Sequence, residues 1–393
     1  MAKKTFDEVV LFARTGLNPR NNFKLGNGDN KYITIKNIHD GELVIDDNTD
    51  VVSDEAINLI HKRSQIKKGD ILFCSIGRIG DMYIIENEPE GWDINESVFA
   101  FTLNSDIIYQ KYFYYIFKNQ NTIRLISKNS SGSTFKSIKM NQIKKMVFEL
   151  PPLEEQKKVI NILDNLSLII KNFEKELKKL DELTKARFVE MFGDPVRNEK
   201  EWQTKALEDA CKSIVDCPHS TPSYTSEDTG FMCIRTSIVK KNRIMWEDIE
   251  YIPEEEYIQR IQRKKPEKGD VVYTREGAIL GIAAVIDRDC NVALGQRSML
   301  LSPDRTFCTP EFISVAMNFD SFLDNALKGM SGSASPHINV GDIKAFKMIL
   351  PPIKQQEAFS AFVTQVDKSR FVIQKALDEA QLLFDSLMQE YFE

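Results

Sequence analysis

The feature that most constrains this chain is an internal duplication, in which landmark residues recur 200 positions apart along nearly the whole length. The recurring residues are Gly69-Asp70 and Gly269-Asp270, Gly77 and Gly277, Ser131-Gly132-Ser133 and Ser331-Gly332-Ser333, Leu150-Pro151-Pro152 and Leu350-Pro351-Pro352, and Gln156 and Gln356. Self-similarity at a fixed period indicates one structural unit used twice. A chain that presents two similar surfaces is expected to bind two similar targets.

The composition is that of a globular protein with room for two domains. The 393 residues are 42% hydrophobic and 28% charged, with a formal net charge of −6. This charge argues against a protein that coats a polyanion with its whole surface. Local basic surface remains, since Arg124 to Lys145 contains six cations and no acidic residue. No apolar run approaches the ~20 residues of a membrane span, and no signal-peptide core is present, so we expect a cytoplasmic protein.

Signatures of catalysis are missing from the sequence. There is no phosphate loop, no G-x-G-x-x-G after a strand, no G-x-S-x-G elbow and no Asn/Asp-Pro-Pro-Tyr/Phe tetrapeptide of amino-methyltransferases. The six cysteines include no C-x-x-C pair, which favours reduced and mostly buried thiols. None of the four histidines has a matching partner in the other copy, so we expect no metal site. Recognition without catalysis is the expectation.

Each copy has a mixed part and a helical part. Short β-branched and aromatic runs between Gly, Asn and Asp turns predict an α+β domain in the first ~150 residues of each copy. Leu-Pro-Pro then marks a strand-to-helix boundary, and the positions after it recur four and three apart, as in a coiled coil. These positions are Val159, Leu163, Leu166, Ile170, Phe173, Leu177 and Leu180, then Phe359, Val363, Val366, Arg370, Ile373, Leu377 and Ala380, with Phe384, Leu387 and Tyr391 continuing.

The two long helices are expected to bury these stripes on each other. Each helix spans ~55 Å, which a small domain cannot cover. The connector from Phe192 to about Trp202 reaches at most ~35 Å, so the helices must be antiparallel. The predicted fold class is α+β: two globular α/β domains in pseudo-two-fold arrangement, separated by two long antiparallel coiled-coil helices. The predicted boundaries are domain 1 at 1–150, a central spacer helix at 151–195, domain 2 at 196–350 and a C-terminal spacer helix at 351–393.

Two groups of loop residues are candidates for nucleic-acid recognition. Hydroxyls and lysines of the Ser-Gly-Ser loops are the usual donors to phosphate oxygens; they are Lys128, Ser131, Ser133, Lys136, Ser331 and Ser333. Loops that differ between the copies should read the bases, because two copies with different targets must diverge where they touch them. Those candidates are Asn18, Arg20, Asn21, Lys36, Asn37 and Arg78 in the first copy, and His219, Ser220, Tyr224, Arg235, Thr236 and Arg275 in the second.

The chain resembles a known family on a set of motifs. These are Glu149-Leu150-Pro151-Pro152-Leu153-Glu154-Glu155-Gln156, the helix end Glu190-Met191-Phe192-Gly193-Asp194-Pro195, the copy Leu350-Pro351-Pro352-Ile353-Lys354-Gln355-Gln356, and the two Lys-Gly-Asp strands. As a set they cover the full length, and the chain is similar to the DNA-specificity (S) subunit, HsdS, of Type I restriction-modification systems. The second helix lacks its own Gly-Asp-Pro, which leaves open how the termini meet.

The resemblance implies that the two domains are target-recognition domains, each reading one half of a split sequence in double-stranded DNA. It implies a non-catalytic subunit that binds two adenine-N6 methyltransferase (M) subunits through its helical region, with ATP-dependent restriction (R) subunits joining that core. S-adenosylmethionine, ATP and Mg are then bound only by partner subunits, so we expect no cofactor and no membrane association in this chain.

Two other interpretations remain open at the level of sequence. One is a duplicated-domain protein-interaction scaffold without DNA specificity, and the other is a nuclease whose site is unrecognised. DNA affinity that falls steeply with salt would favour recognition over the scaffold. Metal-dependent cleavage by the isolated chain would favour the nuclease. The target bases, the spacer length and the association with a restriction subunit are not readable from the sequence.

Overall fold

In the computed structural model the two halves of the chain form the same arrangement of strands. The structure describes residues 2–119, 121–122, 124, 137–277, 279–328 and 337–392. The chain divides into two units, Met1–Phe173 with Ala376–Glu393, and Glu174–Lys375. The divisions fall inside the two long helices and not at their predicted ends, because each helix packs against a globular domain at both of its ends. None of the described helices is long and apolar enough to cross a membrane.

The first unit holds domain 1 and parts of both long helices. Its strands are β1 (Ala2–Thr5), β2 (Val10–Thr15), β3 (Asn30–Ile33), β4 (Ile38–His39), β5 (Glu42–Leu43), β6 (Val51–Val52), β7 (Ile71–Cys74), β8 (Met82–Ile84), β9 (Trp92–Ile94), β10 (Val98–Leu103) and β11 (Val147–Leu150). Its helices are α1 (Phe6–Val9), α2 (Asp54–Ser64), α3 (Gln110–Lys118) and α4 (Met140–Ile143), followed by the long helix α5 (Leu153–Phe192).

The main sheet of domain 1 is antiparallel, in the order β2-β10-β7-β8, beside a smaller sheet β6-β3-β9. Strand β7 is buried on both faces, as expected for a continuous apolar run. Its side chains alternate between two cores: Phe73 joins the cluster around α3, and Leu72 joins the cluster on the small sheet. The inner strand β7 is therefore covered on both sides.

Domain 2 repeats this topology strand for strand. Its strands are β12 (Thr204–Ala206), β13 (Cys211–Asp216), β14 (Met232–Ile234), β15 (Val239–Lys240), β16 (Arg243–Ile244), β17 (Glu250–Tyr251), β18 (Val271–Thr274), β19 (Ala283–Val285), β20 (Val292–Leu294), β21 (Ser298–Pro303) and β22 (Lys347–Ile349). Its helices are α6 (Leu207–Ala210), α7 (Glu254–Arg260), α8 (Pro310–Met317), α9 (Asp320–Leu327) and α10 (Val340–Lys344), before the long helix α11 (Ile353–Phe392); Thr236–Ile238 and Trp246–Asp248 are 3₁₀ turns.

The strand registers locate a one-residue difference between the copies. The main sheet of domain 2 is β13-β21-β18-β19 and the small sheet is β17-β14-β20. Ile33 pairs with Ile94 in domain 1, and Ile234 pairs with Leu294 in domain 2, so β3 and β14 are 201 residues apart. Val51 of β6 corresponds to Tyr251 of β17, at 200 residues. The first copy thus has one additional residue between β5 and β6.

The long helices α5 and α11 run antiparallel in the second unit. The ring of Phe359, near the start of α11, lies 5.5 Å from the rings of both Phe188 and Phe192, near the end of α5. Further along, Arg370 Nη2 of α11 donates to Asp181 Oδ1 of α5 at 2.6 Å. Residue numbers therefore rise in one helix as they fall in the other.

The same direction holds in the first unit, where both helices pack on α3. Tyr115 of α3 donates to Asp164 Oδ1 of α5 at 2.5 Å, and its ring lies 6.3 Å from that of Phe384. One turn earlier, the ring of Tyr112 lies 5.1 Å from that of Phe392. The N-terminal part of α5 thus lies beside the C-terminal part of α11. The predicted α+β class with two long antiparallel helices is confirmed.

The heptad stripes are less exposed than the residues around them, as predicted. The heptad positions from Val159 to Leu180 and from Phe359 to Tyr391 are buried or half-buried. A further set of apolar residues on these helices lies outside the stripes and is exposed, which the heptad pattern did not indicate. They are Ile162, Leu168, Ile169, Leu183 and Val189 of α5, and Phe371, Val372, Leu382 and Leu383 of α11.

Candidate nucleic-acid interface

One edge of the main sheet of domain 1 gathers loops that are distant in sequence. Thr15 pairs with Phe99 and Cys74 pairs with Val98, so β2 and β7 end where β10 begins. The loops 16–29, 75–81 and 95–97 leave the sheet together at this edge. The turn 34–37 joins them, because Asn95 N donates to Ile33 O at 2.9 Å. We call these four segments the loop edge of domain 1.

The loop edge of domain 2 forms in the same way. Asp216 pairs with Met299 and Thr274 pairs with Ser298, which brings together the loop 217–231, the described residues of 275–282 and the turn 295–297. Gly295 N donates to Ile234 O at 2.9 Å and adds the segment 235–238. The residues predicted to read bases lie on these two edges, six on each. The phosphate-binding candidates Lys128, Ser131, Ser133, Lys136, Ser331 and Ser333 lie outside the described residues.

Four of the candidates in domain 1 are exposed at its loop edge, namely Arg20, Asn21, Lys36 and Arg78. Asn22 N and Phe23 N both donate to Pro19 O, at 2.7 and 3.1 Å, which closes a turn. Asn18, half-buried at the base of this turn, accepts from Asn22 Nδ2 through its backbone carbonyl at 2.9 Å. Arg20 and Asn21 are exposed on the turn, and Lys36 is exposed on the turn 34–37.

Asn37 does not fit its predicted role. Its side chain is only 9% exposed. The Oδ1 atom accepts from Thr34 N at 2.9 Å, while Nδ2 donates to Val44 O at 3.1 Å and to Thr49 Oγ1 at 3.2 Å. These bonds close the turn 34–37 and occupy the groups that would face a base. Asn37 is a structural residue of the loop edge, and we remove it from the base-reading set.

Arg78 is a positioning residue of the same edge. Its guanidinium donates to the carbonyl oxygens of Ile35 at 2.9 Å and Ile38 at 3.1 Å, and it contacts the ring of His39. Its Nε lies 3.2 Å from Asp81 Oδ2. Arg78 thereby ties the loop 75–81 to the turn 34–37, and most of its donors are already used.

Arg275, a candidate in domain 2, also pairs with carboxylates of the protein itself. It is 5% exposed, with Nε 3.1 Å from Asp216 Oδ1 and Nη2 2.8 Å from Glu276 Oε1. The prediction that Arg275 reads a base is corrected for this reason: a buried, doubly paired guanidinium is not available to DNA. The exposed His219 lies on the same carboxylate, with Nε2 3.2 Å from Asp216 Oδ2.

Tyr224 and Arg235 form a stacked pair on the loop edge of domain 2. The Arg235 guanidinium carbon lies 5.3 Å from the Tyr224 ring centre, and Nη1 lies 3.0 Å from Glu250 Oε2. Burial, followed by the nearby Cys233 thiol, raises the pKa of Tyr224. The phenol therefore stays protonated and remains a hydrogen-bond donor. Thr236 follows in the half-exposed 3₁₀ turn.

The sequence did not indicate the ion pair that holds the loop 217–231. Arg260 and Glu256, one turn apart on α7, lie 2.8 Å from each other, and Arg260 is 7% exposed. Arg260 Nη2 donates to Ser220 O at 2.9 Å, and Ser223 N donates to Glu256 Oε2 at 3.0 Å. Glu and Arg four residues apart were the available signal, but the same spacing usually marks a solvated helix face.

The sequence also did not single out the turn 295–297, which lies at the centre of this edge. Thr221 Oγ1 donates to Gln296 Oε1 at 3.2 Å, and Arg275 N donates to Arg297 O at 3.0 Å. The exposed Arg297 occupies the position of Ser97 in the first copy. That difference between the copies was the signal that could have drawn attention to it.

The chemistry of the two edges is that of hydrogen-bond donors and cations. Arg20, Asn21, Lys36 and His219 are exposed there, and such groups bond phosphate oxygens and base edges. Among the described residues no group of His, Cys, Asp and Glu is arranged to hold a metal ion. Burial raises the pKa of the Cys74 thiol to about 12, so this cysteine at the end of β7 stays protonated.

Comparison with known proteins identifies a family that matches both halves of the chain. The model of the Type I restriction modification DNA specificity domain matches the chain twice, over residues 1–183 and 199–380. The Type I restriction enzyme MjaVIII specificity subunit of Methanocaldococcus jannaschii is 20% identical over 333 residues, 81% of this chain and 77% of that protein. The Type I restriction enzyme EcoBI specificity subunit of Escherichia coli is 22% identical over 322 residues, 75% of this chain and 67% of that protein.

Solved structures share the fold. The S subunit of a Type I restriction-modification system from M. genitalium aligns over 100% of this chain and 96% of its own, with a TM-score of 0.57 at 14% identity. A chain from a study of complex assembly and conformational transition of the type I R-M system aligns over 100% and 97%, with a TM-score of 0.53 at 17% identity. At these identities the likeness concerns the fold alone.

Proposed function

Because the chain belongs to the family of Type I restriction-modification DNA specificity proteins, we propose that its two domains each recognise one half of a bipartite DNA target. The observation that carries this proposal is the pair of loop edges. They arise from the same strand topology, yet their exposed residues differ: Arg20, Asn21 and Lys36 on one edge, His219 and Arg297 on the other. Equivalent placement with divergent side chains is what two readers of different half-sites require.

The long helices are proposed to dock the subunits that modify the bound DNA. Exposed apolar residues outside the heptad stripes support this, since such patches mark interaction surfaces. In the first unit they include Leu168, Ile169, Leu382 and Leu383, and in the second unit Leu183, Phe371 and Val372. The proposed partners are two adenine-N6 methyltransferase subunits, with restriction subunits joining the complex. S-adenosylmethionine, ATP and Mg would be bound by those partners, and this chain would guide the chemistry without performing it.

The test is a domain exchange followed by methylome sequencing. Residues 1–150 are replaced by the equivalent domain of another family member, and the hybrid is expressed with the methyltransferase partner. We expect one half of the methylated sequence to change and the other half to stay the same. The matched control exchanges residues 196–350 and should change the other half. A hybrid that methylates the original sequence would contradict the proposal.

Salt dependence separates this function from a protein-interaction scaffold. A complex that contacts phosphates loses affinity for DNA steeply as salt rises, because bound counterions are released on binding. We expect the DNA affinity of the wild-type complex to fall in this way with salt. We also expect the complex to prefer a duplex that contains the sequence it methylates over a duplex of random sequence. A complex that binds both duplexes equally would favour the scaffold.

A further inference from the structure

Arg297 has an unusual backbone conformation for its residue type. It lies in the turn 295–297, just before β21, with a φ of 69°. Left-handed backbone is disfavoured for residues with a side chain, and it persists only where the surroundings fix it. The equivalent turn in domain 1 is closed differently, because Ser97 N donates to Asn95 Oδ1 at 2.9 Å. The second copy thus has a turn at the same place but carries an arginine where the first copy has a serine.

The surroundings fix this turn from several sides. Within the turn, the carbonyl oxygen of Arg297 accepts from Arg275 N at 3.0 Å, and the carbonyl oxygen of Gly295 accepts from Ser298 Oγ at 3.3 Å. A Cβ at Gly295 would lie 2.7 Å from the Tyr224 hydroxyl oxygen and 3.0 Å from Ile234 O, so a side chain there would force Tyr224 to move. The loops that carry the other candidates therefore all pack against the turn. They hold its backbone in one position.

Within the part of the chain that the structure describes, the guanidinium of Arg297 has no partner, in contrast to those of its neighbours. Arg275, Arg235 and Arg260 are each paired with a carboxylate. The side chain of Arg297 is exposed and has no hydrogen bond or ion pair with any residue that the structure describes. It extends past Gly277, where an added Cβ would lie 3.5 Å from Arg297 Nη1. A rigid backbone thus carries a planar set of unused donors at the middle of the loop edge.

We propose that Arg297 reads a guanine in the half-site recognised by domain 2. This inference rests on the proposed function and assigns one contact within it. Arginine bonds the O6 and N7 atoms of guanine together in the major groove, and such a pair demands a defined approach. A phosphate contact is made by arginine, lysine, hydroxyl and backbone N–H donors alike, so it demands a less defined approach. The fixed turn under Arg297 supplies the defined approach.

The experiment uses the complex of the full chain with its methyltransferase partner. Arg297→Lys keeps the charge but loses the planar fork, and Arg297→Asn removes the charge while tolerating the left-handed backbone. The matched control is Arg288→Asn, which removes an exposed arginine from the opposite end of the sheet, beyond β19. Binding is measured by competition against duplexes in which each base pair of both half-sites is substituted in turn. Thermal unfolding of each variant checks the fold.

Arg297→Asn is expected to lose the preference for guanine at one position of the domain 2 half-site, by roughly 5- to 150-fold, and Arg297→Lys, which can still bond O6 and N7 but without the planar fork, by less. The other half-site and the control variant should be unchanged. A uniform loss across all duplexes, with the salt slope reduced by about 1, would make Arg297 a phosphate contact and overturn the inference. So would retained preference in the asparagine variant, or a domain 2 half-site that contains no guanine.

Failure of the inference is distinguishable from failure of the proposed function. If domain exchange changes one half-site while both Arg297 variants keep every base preference, then the function stands and this contact is wrong. If the wild-type complex shows no base preference at any position, then the proposed function itself fails. Should the asparagine variant unfold, Arg297→Gly takes its place, because glycine adopts the left-handed backbone freely and has no side-chain donor.

Discussion

At the scale of single residues, the glutamine after each Leu-Pro-Pro shows why a residue is retained in both copies. Gln156 and Gln356 are both 0% exposed and make the same bonds. Gln356 Nε2 donates to Phe307 O at 3.0 Å and Pro351 O at 2.8 Å, and Oε1 accepts from Thr309 N at 3.1 Å. Gln156 does the same with Ile107, Pro151 and Tyr109. Each glutamine fastens the start of a long helix to its domain.

Replacing this glutamine should destabilise the protein. In Gln356→Ala the N–H of Thr309 and two carbonyl oxygens lose a buried partner, and unmade buried hydrogen bonds cost about 1–3 kcal/mol each. We expect the free energy of unfolding to fall by about 3 kcal/mol, measured by urea denaturation of the chain. The control is Gln355→Ala, at the exposed position beside it, which should change stability by less than about 0.5 kcal/mol. Equal effects of the two substitutions would contradict the assigned role.

At the scale of elements, the long helices have two apolar faces with different uses. The heptad face is buried between the helices and against the domains. Met388, beside the heptad position Leu387, is 6% exposed within the domain 1 core, and its carbonyl oxygen accepts from Asn119 Nδ2 at 3.3 Å. The second face is open: Leu382 is 72% exposed and Leu383 is 50% exposed. Only the first face contributes to the fold of the chain itself.

Substitutions on the open face should weaken the docking of a partner subunit without changing the stability of the chain. The double variant Leu382→Ser with Leu383→Ser removes apolar surface that we propose to be covered by a methyltransferase subunit. We expect its affinity for that subunit to fall at least ~10-fold, measured by calorimetry, with unfolding of the free chain unchanged.

The matched control for the open face is Met388→Ala on the same helix. Loss of this buried side chain should lower the free energy of unfolding by about 2–4 kcal/mol through the cavity it leaves. Unchanged affinity of the double serine variant for the methyltransferase would mean that the open face is not the docking surface.

The hairpins that contact the long helices reverse their charges between the copies. In the first unit Glu42 of β5 pairs with Lys171 of α5. In the second unit the equivalent Arg243 of β16 lies 3.6 Å from Asp181. Both hairpins thus contact α5, with opposite signs of charge. Exposed pairs of this kind add little stability, but either hairpin at the other's position on α5 would meet a like charge.

At the scale of the whole molecule, each long helix takes part in both units. The first unit includes residues up to Phe173 together with Ala376–Glu393, so its core is completed by the far end of the chain. Phe384, Leu387 and Tyr391 of α11 pack against the same cluster as Phe113 of α3. A change in the length of both helices is therefore a change in elements that take part in both units.

Lengthening both helices by one heptad should change the spacing of the half-sites. Seven residues inserted after Leu177 and after Ile373 keep the heptad register and add ~10 Å to each helix. That length corresponds to roughly three base pairs at 3.4 Å each. We expect methylome sequencing to show the same two half-sites with about three more unspecified bases between them.

The control inserts the heptad into α5 alone. The stripes of the two helices then fall out of alignment, and we expect lower stability and little methylation. A methylated sequence with the original gap in the double insertion would contradict the spacer role of the helices.

The sequence by itself determined the features that depend on local pattern. The 200-residue repeat, the strand-to-helix boundaries at Leu-Pro-Pro and the antiparallel helix pair all follow from periodicity, proline and connector length. These properties reside in neighbouring residues, or in a comparison of the chain with itself. The loops that differ between the copies were predicted in the same way, and they do lie together at one edge of each sheet.

Only the tertiary structure decided which side chains on those loops are available. Asn37, Arg78 and Arg275 have suitable residue types, but several of their donors are taken by partners 7, 40 and 59 positions away. Arg297 was overlooked, although its turn is fixed by segments as distant as Thr221, 75 positions earlier. Burial and hydrogen bonding depend on such distant contacts, because a donor is free only if the folded chain brings no acceptor to it. No local pattern carries that information.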